Sequence, residues 1–156
     1  MPIIKHNIYD KEAKEKIQSI LVPELRKEGF TGSYPHFRRP NKDGGFDILS
    51  FQFNKCGGSF LIEISAAYPY REEFTNCCLN SSKNTEAEIK KINHAHTHVR
   101  RRIHSRWNEC WFDYSDGNVE KTANHALKRL RKEMSWFDNP PIYRELKRRK
   151  RQGLSY

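Results

Sequence analysis

Three histidines alternate in His94-Ala95-His96-Thr97-His98, and in an extended chain alternate side chains project to the same side. Neutral imidazole is a good zinc ligand, so this spacing is the chain's clearest candidate for a metal site. A rise of about 3.3 Å per residue separates His94 from His98 by about 13 Å, so one ion would take only neighbours such as His96 and His98. No acidic residue or cysteine stands at a spacing that supplies the remaining ligands. A solvated polar strand face is the simpler expectation.

Other catalytic patterns are missing. The chain has no Gly-x-Ser-x-Gly elbow, no Walker loop, no dinucleotide-binding glycines and no His-Glu-x-x-His helix, and no motif requires a cofactor. Its cysteines, Cys56, Cys77, Cys78 and Cys110, lack the Cys-x-x-Cys spacing of a zinc knuckle and suit no disulfide framework. They read as reduced thiols. A Cys–His nucleophile pair assembled in space would be compatible with this composition, as it is with that of many proteins.

Charge is the more informative signal. Twenty-nine Lys and Arg against 19 Asp and Glu give a net +10, which concentrates anions and acidic surfaces around a protein. From Lys121 onward eleven basic residues face three acidic ones, so most of the excess is C-terminal. Arg144 and the block Lys147, Arg148, Arg149, Lys150 and Arg151 are candidates for contacts to phosphates or to an acidic partner, with Arg100 and Arg102 extending the surface. Cations at a helix C-terminus are also favoured by the helix dipole alone. Tyr34, Tyr70, Trp107, Trp111 and Tyr143 are interface anchors if exposed, though such side chains are more often core.

These residues must be held by regular elements. Strict alternation over Phe46–Asn54 sets Leu49, Phe51 and Phe53 against Phe46, Ile48, Ser50 and Gln52, the period of a strand. Phe60 to Tyr68 repeats it, and Lys55-Cys56-Gly57-Gly58 between them predicts a hairpin. Ala95 to His104 reads as a further strand, with Ala95, Thr97, Val99 and Ile103 on one side and the histidines, Arg100 and Arg102 on the other. Arg101 breaks the apolar side. Tyr34 to Arg39 reads as a first strand in which Pro35, unable to donate to a ladder, is confined to an edge or to the segment's beginning. The aromatic cluster Trp107, Trp111, Phe112 and Tyr114 suggests a hairpin edge closing one end of the core.

Asp10 as N-cap followed by Ala13, Ile17, Ile20, Leu21 and Leu25 predicts an amphipathic helix, with a kink or a new helix at Pro23 and a Gly29 cap. Thr85 and Glu88 have capping-box spacing for a short helix through Lys91. Asn118 caps a second long helix whose stripe is Val119, Ala123, Ala126, Leu127, Leu130 and Met134. A last helix covers Ile142 to Arg151.

The run Leu21-Val22-Pro23-Glu24-Leu25-Arg26-Lys27-Glu28-Gly29-Phe30 resembles the opening of a bacterial family labelled only as domain of unknown function 4304. Phe37-Arg38-Arg39, Phe51-Gln52, the Phe60–Tyr68 strand, Arg102-Ile103, Trp111 and Trp136-Phe137 resemble its later features, and the similarity spans about Ile17 to Leu146. The resemblance implies an α+β fold with an antiparallel sheet and carries no reaction.

The expected architecture is α+β: one domain over residues 1–156, with an antiparallel sheet of four to five strands packed by one N-terminal and two C-terminal helices, ending in a basic helix or tail at 142–156. Neither a signal peptide nor a membrane-length apolar run is present, which points to the cytoplasm. The expected function is non-enzymatic binding of a macromolecule through a basic surface. Its partner is an acidic protein surface, as for a toxin-neutralising immunity-type module, or alternatively a nucleic acid at the basic C-terminal helix. A metal-dependent enzyme at the His-rich strand is the remote alternative.

Overall fold

The computed structural model describes residues 2–68, 99–138, 148 and 151–153. Helix α1 spans Pro2–Lys27. It buries Ala13, Ile17, Leu21 and Leu25 at 0–2% exposure, a four-residue spacing that lays one stripe on the sheet. Two expectations for it are corrected. Asp10 lies inside the helix and does not cap it, and of the two outcomes expected at Pro23 the second helix is absent, the helix running on through it. Pro23 is exposed while Leu21 and Leu25 on either side stay buried, so the packing of the stripe carries the helix across the proline.

The helix closes as predicted, at a glycine. Gly29 has φ 84°, its amide bonds Arg26 O at 3.1 Å, and the Phe30 amide bonds Leu25 O at 3.0 Å. These two bonds make a Schellman cap, with Phe30 folded back onto the core.

Among the described residues six antiparallel strands follow: β1 (Thr31–Ser33), β2 (His36–Pro40), β3 (Phe46–Phe53), β4 (Ser59–Ala67), β5 (Val99–Arg102) and β6 (Phe112–Asp113). They form one sheet ordered β1-β2-β3-β4-β5, with β6 pairing the start of β4 beyond the end of β5. The count exceeds the expected four to five because β1 and β6 are only three and two residues long, too short to show a period. The strand expected from Tyr34 to Arg39 begins later, at His36, after a turn at Tyr34-Pro35. A cis Tyr34–Pro35 bond lies between β1 and β2.

The central register pairs Leu49 with Ile64, Phe51 with Ile62 and Phe53 with Phe60. Five of them belong to one buried cluster with α1 and with helix α2 (Val119–Glu133), and the partly buried Phe53 packs against it. Asn118 Oδ1 accepts the Lys121 amide at 3.3 Å, capping α2, and Ala123, Ala126, Leu127 and Leu130 are its buried stripe. A single-turn helix, α3 (Ser135–Asp138), buries Trp136 and Phe137. The opposite face of the sheet buries Ile48, Leu61, Ser65 and Ala67 at 0–4% exposure.

Asn41 organises the β2–β3 turn. Its Oδ1 accepts the amides of Asp43 and Gly45, and its Nδ2 donates to Ala67 O at 3.1 Å. A Cβ on Gly45 would lie 1.9 Å from Ala67 O, so only glycine lets the turn sit against β4.

Candidate binding face

The register of β5 separates its three arginines. Arg100 and Arg102 pair with Ser65 and Glu63, whereas Arg101 pairs with Ile64. Alternation therefore places Arg100 and Arg102 on one face of the sheet and Arg101 on the helix-covered face. That resolves the broken pattern in the sequence. Arg101 Nη1 meets Glu133 Oε2 at 3.3 Å, at the C-terminal end of α2. All three arginines are exposed.

Beyond β5 the chain runs along α2 in the opposite direction. His104 O accepts Arg129 Nε at 2.7 Å and Ser105 O bonds His125 Nε2 at 2.8 Å. The Arg106–Glu109 turn follows. Its base is closed by paired bonds, Arg106 N to Glu109 O and Glu109 N to Arg106 O. Ser105 Oγ donates to Trp111 O at 2.7 Å, and Glu109 Oε1 accepts the Trp111 amide at 2.9 Å. Asn108 takes a positive φ of 60°, which Asn tolerates better than most residues. The result is Trp107 held at the tip of a well-bonded turn, 92% exposed. Among the described residues it is the one large apolar side chain so exposed.

A cleft of about 760 Å³ opens beside the turn, and its lining includes Arg106, Trp111, Phe112, Asp113, Lys121 and His125. Its carboxylates are engaged locally. Asp113 Oδ1 accepts both the amide and the hydroxyl of Ser115, which hold its carboxyl below the usual aspartate value. Asp116 Oδ1 accepts the Asn118 amide. The cations are differently placed. Among the described residues Arg100, Arg106, Lys121, Lys128 and Lys132 are exposed and make no ion pair, whereas Arg131 meets Glu24 at 2.9 Å.

Of the residues singled out in the sequence, Arg100 and Arg102 share a face, 3.9 Å separating Arg102 Nε from Glu63 Oε2. Arg148 and Arg151 are exposed with helical backbone. Arg144, Lys147, Arg149 and Lys150, the histidines His96 and His98, and the anchor candidates Tyr70 and Tyr143 lie outside the described residues. Among those described, no group of three or more His, Cys, Asp or Glu is arranged to hold a metal ion. Tyr34 and Trp111 are half-buried. Trp107 stood in the sequence as both a core and an anchor candidate, and the only local hint of its exposure is the turn-favouring Asn108 after it.

Among the described residues no helix is long and apolar enough to cross a membrane. No curated protein and no solved structure matches the chain. The family model described as Domain of unknown function (DUF4304) matches residues 21–139, a stretch that holds the Schellman cap, the sheet, the Trp107 turn and α2 and stops before the basic C-terminal block. The chain belongs to the DUF4304 family.

Proposed function

We propose that the protein is a non-enzymatic binding module that captures an acidic protein partner, with Trp107 as the anchor. The observation carrying this reading is the 92% exposure of Trp107 at the tip of a turn whose base is fixed by hydrogen bonds. An aromatic side chain held in water without its own packing is a characteristic interface anchor, and a rigid mount lowers the entropy lost on binding. Arg100, Arg106, Lys121, Lys128 and Lys132, which lack ion-pair partners among the described residues, supply charge complementarity and speed encounter. An immunity-type role, neutralising a toxin by occupying it, needs no catalytic groups and suits this arrangement.

The test is affinity capture from the native host with wild-type and Trp107→Ala chains in parallel, at near-physiological salt. An acidic protein retained by the wild type and lost by the variant is the expected result. No protein that distinguishes the two baits would contradict it.

The unpaired cations also favour a second reading, binding of nucleic acid with Trp107 stacking on a base. Binding of generic single- and double-stranded DNA and RNA by the full chain, weakening steeply with salt and lost in Lys128→Glu/Lys132→Glu, would support it.

A further inference from the structure

The Ile103 amide bonds Ile62 O at 2.9 Å, and this pair continues the register in which Arg101 opposes Ile64 and Val99 opposes Ala66. In an antiparallel ladder, opposed residues alternate between pairs that exchange both backbone bonds and pairs that exchange neither. Val99, Arg101 and Ile103 therefore direct their amides and carbonyls at β4, and those of Arg100 and Arg102 point away from it. The next outward-facing residue is His104, whose carbonyl accepts Arg129 Nε at 2.7 Å, so α2 closes the edge at that end. Among the described residues no strand pairs with the outer edge of β5, and Arg100 and Arg102 are both exposed.

A row of unpaired amides and carbonyls is a template for another strand, and proteins commonly guard it with charge. Here the charge is selective. Two copies of β5 laid edge to edge would set arginine against arginine, which is destabilising, whereas an acidic strand gains an opposite-charge pair at each position.

We infer that the acidic partner docks an extended segment on this edge as a further antiparallel strand, with an acidic residue opposite each of Arg100 and Arg102; this rests on the reading that the partner is an acidic protein. The residues opposite Arg100 and Arg102 exchange both backbone bonds with them, and alternation turns their side chains onto the face that carries the two guanidiniums. The segment therefore has the pattern acidic-x-acidic. Both guanidiniums can receive a carboxylate: Arg100 makes no ion pair among the described residues, and Arg102 Nε is 3.9 Å from Glu63 Oε2, beyond hydrogen-bond length. The middle residue faces the other side of the sheet, beside Arg101 and its partner Glu133, whose charges already balance, so a neutral side chain suits it.

The test is anisotropy titration of the full chain with a labelled synthetic peptide of alternating glutamate and valine, with amide hydrogen exchange at saturating peptide. The peptide should bind with a Kd of about 1 mM or tighter. It should slow exchange of the Arg100 and Arg102 amides about tenfold or more, while the Arg101 and Ile103 amides are already slow in the free chain. Affinity should fall about tenfold or more in Arg100→Glu, and equally when the peptide's glutamate amides are N-methylated. Failure of the peptide to bind, equal binding of an analogue with lysine in place of glutamate, or binding that leaves exchange at Arg100 and Arg102 unchanged would overturn the inference. Failure of the Trp107 reading is separable. Trp107-dependent capture of an acidic protein that leaves these two amides unprotected would sink the strand addition alone, whereas capture indifferent to Trp107→Ala but protecting both amides would support it and remove only the anchor.

Discussion

Arg39 Nε donates to Asp47 Oδ2 at 2.9 Å, in the least exposed ion pair among the described residues. The same guanidinium donates to Glu28 O at 2.8 Å and lies over the rings of Phe30 and Phe137 at 4.7 and 5.3 Å. One side chain thus joins the end of α1, β2, β3 and α3. Removing it leaves a buried carboxylate unpaired, so Arg39→Ala should cost about 3–5 kcal/mol in urea denaturation. Arg39→Lys should recover only part of this, because an ammonium lacks the planar fork and the ring stacking.

Burial pushes the Asp47 carboxyl above the ordinary aspartate value of 3.8, and Arg39 offsets part of the rise. A group that holds its proton more tightly folded than unfolded favours the folded state most below that ordinary value, and the contribution is lost as pH rises through the folded one. Asp47→Asn removes this dependence. The stability of the variant relative to wild type should therefore improve from about pH 3 to pH 6, as followed by urea melts. A decline over that interval would reverse the assigned direction.

Gly45→Ala should destabilise the fold by about 1–3 kcal/mol or more, because its Cβ meets the Ala67 carbonyl at 1.9 Å and backbone has to move. Thermal unfolding of the variant measures it, and an unchanged midpoint would show that the turn does not press on β4.

Asn118→Ala removes the side-chain acceptor for the Lys121 amide and should cost about 1 kcal/mol. Arg131→Ala, at an exposed pair with Glu24, should cost less than about 1 kcal/mol, and high salt should shrink the difference.

The long strands were legible because one residue in two of β3 and β4 packs against α1 and α2, and that packing leaves a period in the sequence. The Asn118 cap and the Gly29 cap were legible because each depends on one residue's local chemistry. β1 and β6 were not, since a strand of two or three residues has no period and is selected by its neighbours. The start of α1 was missed because Asp10, a fair cap in sequence, instead accepts the Tyr114 hydroxyl at 2.8 Å from the helix interior. Arg101 looked like a flaw in a strand until Glu133, 32 residues away, supplied its partner. The exposure of Trp107 depends on a turn closed by local bonds that no short motif announces, and tryptophan type alone favours the opposite assignment.

The affinity of the captured acidic partner for wild-type and Trp107→Ala chains tests the central claim most directly. The variant should fold within about 0.5 kcal/mol of wild type, because Trp107 is 92% exposed. It should bind at least about 30-fold more weakly, the loss of a hot-spot anchor of about 2 kcal/mol. Equal affinity of the two chains would contradict the account and move the binding face elsewhere on the molecule.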